Sequence, residues 1–277
     1  MYSLPNEDEV QRTIVRVNSD IIDFIERELA LAEALLSRRE VSLKEEEFLF
    51  VNIQFGIFIS GIRCLHAIRI LVGHGLASDQ AMTLLRTLLE LTTNAITLGQ
   101  GNKADNAMRY RDFVLIREWK RLKIASSYAG TRVAREDWDS FLSKFDPILQ
   151  EIKERRGITE FECLRSFSTW SRRSFIDLAK DAGMENLYQL VYRTCSRVIH
   201  GTNIQQWLSG SLKEGIIVKH TASDEWASTV LLEASELFYN LVRVLNEIIG
   251  GGKQEEIEGM RESIVKLEEK YYVQNSA

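Results

Sequence analysis

The residues best suited to chemistry lie in one stretch that runs from Tyr188 to His200 and is followed by Gly201. Tyr188, Tyr192, Ser196 and His200 recur at every fourth position, a spacing that places side chains on one face of an α-helix. Such a face carries phenols, a hydroxyl and an imidazole, which donate and accept hydrogen bonds or transfer protons. Gly201 is a typical residue to end the helix. We therefore predict a polar site on this face.

A guanidinium joins the same face. Arg193 precedes His200 by seven residues, so the two side chains differ by about 20° around the helix axis and about 10.5 Å along it. No other predicted helix face concentrates polar groups in this way. Arg193 and His200 are the candidate catalytic residues, and Tyr188, Tyr192 and Ser196 are candidates for lining a pocket.

A second pair of charged residues, Arg86 and Glu90, lies one helical turn apart in the leucine-rich segment 84–91. A charge among leucines needs a partner, because burying it alone is unfavourable. Two interpretations remain open. The residues form an intrahelical ion pair at a helix edge, or they form the floor of a polar pocket opposite His200.

The elements that must position these residues are helices. The chain of 277 residues has only 2 prolines, and apolar residues recur at intervals of three and four between Gly-containing breaks. We predict an all-α fold, a multi-helix bundle with at most one short hairpin near residues 210–223. The expected organisation is a single helical domain over residues 1–277, in which residues 1–76 can form an N-terminal sub-bundle. Pro147 should break or kink the helix predicted over residues 135–156.

The charge distribution is uneven along the chain. The formal net charge is −5, which argues against a protein that coats nucleic acid. Residues 101–200 nevertheless carry more Lys and Arg than Asp and Glu, and the helix predicted over residues 103–128 holds the densest basic tract. This tract is either a solvated helix face or a local surface that binds anions.

Several classes of site are not expected. The four histidines are dispersed, and the 3 cysteines include no C-x-x-C pair, so we predict no metal and no cofactor. The N-terminus lacks the pattern of a signal peptide. The apolar run Phe48–Ile62 contains Asn52 and Gln54, and we interpret it as a core helix rather than a membrane span. The expected localisation is cytoplasmic.

The spacing Arg193-x6-His200 resembles the motif of HEPN-fold proteins, which are helical bundles that include many metal-independent ribonucleases of toxin–antitoxin and phage-defence systems. The resemblance implies that His200 is the general acid or base and that Arg193 holds the scissile phosphate, with Arg197 as support. Ser196 and Tyr192 would orient the substrate or the imidazole. It also implies RNA as substrate, a homodimer with a composite cleft, and a partner or antitoxin protein.

A wider resemblance covers about residues 80–202. It rests on the segments Leu85–Leu91 and Trp170–Phe175 and on the Tyr188, Tyr192, Ser196, His200 series. Together these look like a bacterial helical family catalogued only as a domain of unknown function. A non-catalytic helical interaction module, or a ligand-sensing module built around Arg86, Glu90, Tyr192 and His200, is therefore the alternative to a ribonuclease.

Overall fold

The computed structural model confirms the all-α prediction. It describes residues 19–37, 47–73, 78–128, 135–157, 169–192, 208–209, 217–218 and 224–273. Helices account for nearly all of these residues. The described residues belong to two compact units, one drawn from the ranges 1–44, 54–97 and 179–277 and the other from 45–53 and 98–178. The single domain with an N-terminal sub-bundle stays a prediction.

The elements follow one another in a simple order. The helices are α1 (Ser19–Leu36), α2 (Phe48–Gly73), α3 (Ser78–Leu98), α4 (Lys103–Tyr128), α5 (Arg135–Ser143), α6 (Asp146–Arg156), α7 (Phe175–Asp181), α8 (Glu185–Leu187), α9 (Asp224–Ile248) and α10 (Gln254–Glu268). A π-helical turn follows α8 at Tyr188–Tyr192, and another follows α10 at Glu269–Val273. Strands β1 (Leu208–Ser209) and β2 (Ile217–Val218) pair antiparallel, which agrees with the single predicted hairpin.

The core of the first unit is built by long amphipathic helices. Helix α9 packs against both α10 and α1. Phe58 of α2 stacks on Phe238 of α9, with ring centroids 5.8 Å apart. Buried polar groups add specific contacts between helices: the Gln54 amide donates to the carbonyl of Ala95 at 2.8 Å, and the Thr92 hydroxyl lies 2.9 Å from the carbonyl of Leu88 in its own helix and 3.2 Å from that of Leu237 in α9. These bonds satisfy polar groups that would otherwise destabilise the core.

Within the described ranges, the helix at Glu47–Gly73 is long and apolar enough by length and composition to cross a membrane, and 44% of its most apolar window is buried. It is longer than the run recognised in the sequence. Its residues Phe58, Leu65 and Ile68 are buried, whereas Phe48, Ile59 and Ile70 are exposed. The absence of a membrane span stays a prediction.

Helix α2 lies close to Leu241 of α9 at Gly61. A Cβ atom at Gly61 would lie 2.5 Å from Leu241 Cδ1, and Leu241 is buried and cannot move aside easily. We expect Gly61→Ala to destabilise the protein by about 1–3 kcal/mol, as overpacking does. A Cβ atom at Gly56 of the same helix would meet no other atom within 4 Å; Gly56→Ala should therefore be neutral or stabilising by up to about 1 kcal/mol. Urea denaturation gives the unfolding free energy of both variants. Equal values for Gly61→Ala and Gly56→Ala would refute the close contact at Gly61.

One buried and several partly buried carboxyl groups lie on α1, α9 and α10. Glu28 of α1 is fully buried, and neither carboxyl oxygen has a hydrogen-bond partner among the described residues. Burial raises the pKa of Glu28 well above its usual range. Burial also raises the pKa of Glu233 to about 7, and the charges of Glu268 and Glu236 act in the same direction. This side of the unit therefore favours neutral carboxyl groups.

These groups make stability depend on pH. Because the folded pKa of Glu233 lies above the ordinary value of 4.5, the folded state holds a proton that the unfolded state has lost, and stability falls as the pH rises from about 4.5 to about 7. Glu233→Gln removes this titration. The unfolding free energy of the wild type should fall between about pH 5 and about pH 8. In the variant this fall should be smaller by about 2 kcal/mol. Urea denaturation of both proteins at the two pH values measures this difference. An equal fall in unfolding free energy for the variant and the wild type would contradict the prediction.

The second unit has a smaller core. Ile116 of α4 packs with Leu149 and Ile152 of α6, and Trp119 and Phe145 cover this cluster. The predicted break at Pro147 is confirmed, because α5 ends at Ser143 and α6 begins at Asp146 with the proline in its first turn. Proline is tolerated there, since the first N–H groups of a helix have no intrahelical partner. Helix α6 ends at Gly157, which adopts the left-handed conformation (φ 60°).

Candidate functional site

Four predicted site residues, Arg193, Ser196, Arg197 and His200, lie outside the described residues. The structure follows their segment as far as Tyr192. It differs from the continuous α-helix that the spacing predicted, because only Glu185–Leu187 is α-helical and a π-helical turn follows. Its hydrogen bonds run from residue i to i+5, and such turns are frequent at functional sites.

The remaining four predicted residues lie together, and we call them the Arg86 cluster: Arg86, Glu90, Tyr188 and Tyr192. The two tyrosine rings stack, with centroids 4.8 Å apart and planes inclined by 17°. The Arg86 guanidinium carbon lies 4.2 Å from the centroid of the Tyr192 ring, and Arg86 Nη2 donates to the Tyr192 hydroxyl at 2.8 Å. Helix α3 thus contacts Tyr192, the last described residue before Arg193.

Arg86 also forms the expected pair within its own helix. Its Nε lies 3.3 Å from Glu90 Oε1, and the Arg86 side chain is half-buried whereas Glu90 is more exposed. The helix-edge ion pair is therefore present, and its arginine also contacts Tyr192; the polar pocket opposite His200 stays a prediction, because His200 lies outside the described residues. A cation over an aromatic ring contributes about 0.5–2 kcal/mol. The cluster holds Tyr192, the residue directly before Arg193, in a fixed position.

The structure contains a second candidate site, which the sequence analysis noted only as a basic tract. A cavity of about 670 Å³ lies in the second unit, between α4, the last turn of α6 and residues 169–172. We call it the cationic cavity. Its charged lining comprises six cationic side chains and two carboxylates: Arg109, Arg117, Lys120, Arg155, Arg156, Arg172, Asp105 and Asp112.

One buried carboxylate organises this lining. The Asp112 side chain is 3% exposed, and it accepts hydrogen bonds from Arg156 Nε at 2.8 Å, Arg155 Nη2 at 3.1 Å and Arg111 Nη2 at 3.3 Å. Arg155 also pairs with Glu151 at 2.8 Å. Asp112 thereby fixes two arginines of α6 against α4, and its charge is compensated within the protein.

Part of this cavity could be predicted from the sequence. Its α4 residues, from Asp105 to Lys120, recur at intervals of three and four and so share one helix face. The arginines at 155, 156 and 172 come from distant positions, which no periodicity could have brought together. No group of three His, Cys, Asp or Glu side chains within the described ranges is arranged to hold a metal ion.

Comparison with known proteins identifies a family whose function is unknown. The model of a family described as "Family of unknown function (DUF5677)" matches residues 51–212, which is more than half of the chain. No curated protein and no solved structure matches the chain. The matched range includes the Arg86 cluster, the cationic cavity and the whole segment from Tyr188 to His200.

Proposed function

Because the chain belongs to the family of unknown function DUF5677, we propose its activity from its own residues: a metal-independent endoribonuclease in which His200 transfers the proton and Arg193 holds the scissile phosphate. The attacking group would be the RNA 2′-hydroxyl. Such an enzyme would act as a toxin-type effector in a bacterial defence or toxin–antitoxin system, in the cytoplasm.

The observation that carries this proposal is the contact between Arg86 and Tyr192. Residues 106 positions apart in the chain meet through a hydrogen bond of 2.8 Å and a ring contact of 4.2 Å. The contact anchors the residue next to Arg193, and proton transfer requires side chains held in a fixed geometry. Ser196 and Arg197 follow four and five residues after Tyr192 in the sequence, and we propose that they orient the imidazole and support the phosphate.

The direct test is cleavage of a labelled RNA by the purified wild-type protein in the presence of EDTA. Attack by the 2′-hydroxyl expels the 5′-oxygen of the next nucleotide, so the expected products carry a 2′,3′-cyclic phosphate and a 5′-hydroxyl end. Loss of cleavage in EDTA would refute the metal-independent mechanism. A 3′-hydroxyl product end would refute attack by the 2′-hydroxyl.

The proposed assembly is a homodimer with a composite cleft, which a partner or antitoxin protein would restrain. Light scattering over a range of concentrations tests the first part. A mass that stays at one chain, 31.9 kDa, at all concentrations would remove the composite cleft while leaving the chemistry of a single site to be tested by RNA cleavage.

A second candidate function is a non-catalytic helical interaction or ligand-sensing module. The observation that favours it is that Arg86 already has partners within the protein, namely Glu90 and Tyr192. An arginine satisfied in this way stabilises the fold without binding a substrate. An inactive wild type whose melting temperature falls on removal of His200 would support this function.

A further inference from the structure

The cationic cavity has features of a ligand-binding site that are independent of the ribonuclease proposal. We propose that it binds the phosphate groups of a nucleotide-sized anionic ligand. The lining has six cations against two carboxylates, and one of the cations, Arg155, is also paired with Glu151 outside the lining, which leaves an excess of three positive charges around one concave space. Like charges are unfavourable at close range unless an anion lies among them, so the lining favours a multiply charged anion.

The pairing within the cavity shows which cations are available. Asp112 is shared by Arg155 and Arg156, and Asp105 pairs with Arg109 at 2.7 Å. Arg117 and Lys120 have no carboxylate within ion-pair distance in the described parts of the chain; the Arg117 guanidinium carbon lies 5.4 Å from the centroid of the Phe113 ring. Both carboxylates are therefore occupied, and a metal cation is not the expected ligand.

Among the arginines that line the cavity, Arg156 has a buried donor without a partner in the described ranges. Arg156 Nε donates to Asp112, but Arg156 Nη2 is buried and makes no hydrogen bond within the described ranges. A buried donor left in this state is unfavourable by about 1–3 kcal/mol. Because Nη2 has no exposed surface, a phosphate in the cavity would reach it only after the Arg156 side chain turns; a guanidinium presents parallel N–H groups that match two phosphate oxygens.

The backbone at the cavity adds a further sign of a functional site. Arg172 has a φ of 65°, and it is the one non-glycine residue with positive φ in the described ranges. Residues other than glycine, asparagine and aspartate rarely adopt this conformation, and such strain concentrates at ligand sites. Arg172 is also one of the residues that line the cavity.

The size and the apolar part of the lining define the ligand further. A volume of about 670 Å³ falls within the range of about 300–1,000 Å³ that is usual for small-molecule sites. Phe113, Ile116 and Trp170 contribute apolar surface beside the cations. A ligand with phosphate groups and an attached ring system fits both parts, whereas a bare inorganic anion uses only one.

Calorimetric titration of the full chain with ATP, pyrophosphate and a short RNA oligonucleotide tests the proposal. We expect ATP to bind with one site per chain and pyrophosphate to bind more weakly and to compete with it. The double variant Arg117→Gln/Lys120→Gln should weaken ATP binding by at least about tenfold. The change in melting temperature should be small, since neither residue pairs with a carboxylate in the described ranges and Arg117 loses only its contact with the Phe113 ring.

The matched control is Arg121→Gln, on the same helix. Arg121 is 71% exposed, pairs with Glu118 and does not line the cavity, so this variant should bind ATP as the wild type does. His200→Ala should also bind ATP normally, which separates this inference from the ribonuclease proposal. The inference is overturned if ATP shows no binding at about 1 mM, if the double variant binds unchanged, if Arg121→Gln weakens binding equally, or if RNA alone binds and ATP does not displace it.

Discussion

His200→Ala is expected to lower the rate of RNA cleavage by about 10²–10⁴-fold, the contribution typical of general acid–base catalysis. An imidazole suits this role because its pKa lies near neutrality, so that it can both accept and return a proton. The melting temperature should stay nearly unchanged if the imidazole faces a cleft, since an exposed ring contributes little to packing. Initial rates on a labelled RNA and thermal melting curves measure the two quantities.

Two further variants make this result specific. Arg193→Lys should also impair cleavage, because an ammonium cannot reproduce the planar two-donor contact with a phosphate. His66→Ala is the matched control: His66 lies on an exposed position of α2, and its removal should leave the rate unchanged. The outcome against the proposal is a wild type without cleavage, together with a His200→Ala variant destabilised by about 1–3 kcal/mol through an unsatisfied buried partner.

Asp112→Ala should cause the largest loss of stability among the surface and cavity residues, about 3 kcal/mol. Its carboxylate is 3% exposed and is bonded to Arg111, Arg155 and Arg156. Without it the guanidinium groups would face one another with no anion between them. Removing one partner of a buried charged network is unfavourable chiefly because the other charges remain. Chemical denaturation of the full chain, followed by circular dichroism, gives the difference in unfolding free energy.

Asp105→Ala is the control for this experiment. Asp105 lies on the same helix and forms a comparable bond with Arg109 at 2.7 Å, but both side chains are 44% exposed. Exposed pairs contribute little, so a change below about 0.5 kcal/mol is expected. Similar losses for both variants would mean that burial of Asp112 is not what gives the network its effect. A bound ATP should partly rescue Asp112→Ala, because it would supply the missing negative charge.

Local signals in the sequence were sufficient to predict the helices. The predicted α3 and α4 agree with Ser78–Leu98 and Lys103–Tyr128, because a polar N-terminal residue and Gly-containing breaks delimit each apolar stripe. The break at Pro147 was predictable for a similar reason, since proline is excluded from helix interiors. Each of these features depends on residues within a few positions of one another.

The candidate sites depended on contacts that local patterns do not encode. The sequence suggested that Arg86 needs a partner, but its contact with Tyr192 joins residues 106 positions apart. The network around Asp112 likewise joins positions 112 and 156. The π-helical turn at Tyr188–Tyr192 was also missed, because the fourfold spacing of polar residues is the same pattern that a regular α-helix would give.

The arrangement of the two units along the chain has a consequence for synthesis on the ribosome. All residues of the second unit, 45–53 and 98–178, have been translated before α9 and α10 of the first unit exist. At about 5–20 residues per second, the 95 residues from 179 to 273 take about 5–20 s to add. Until α9 has been synthesised, the apolar face of α1, which includes Ile21 and Phe24, cannot pack against it. The nascent chain therefore offers a chaperone an early helix whose partner is encoded almost at the opposite end of the described sequence.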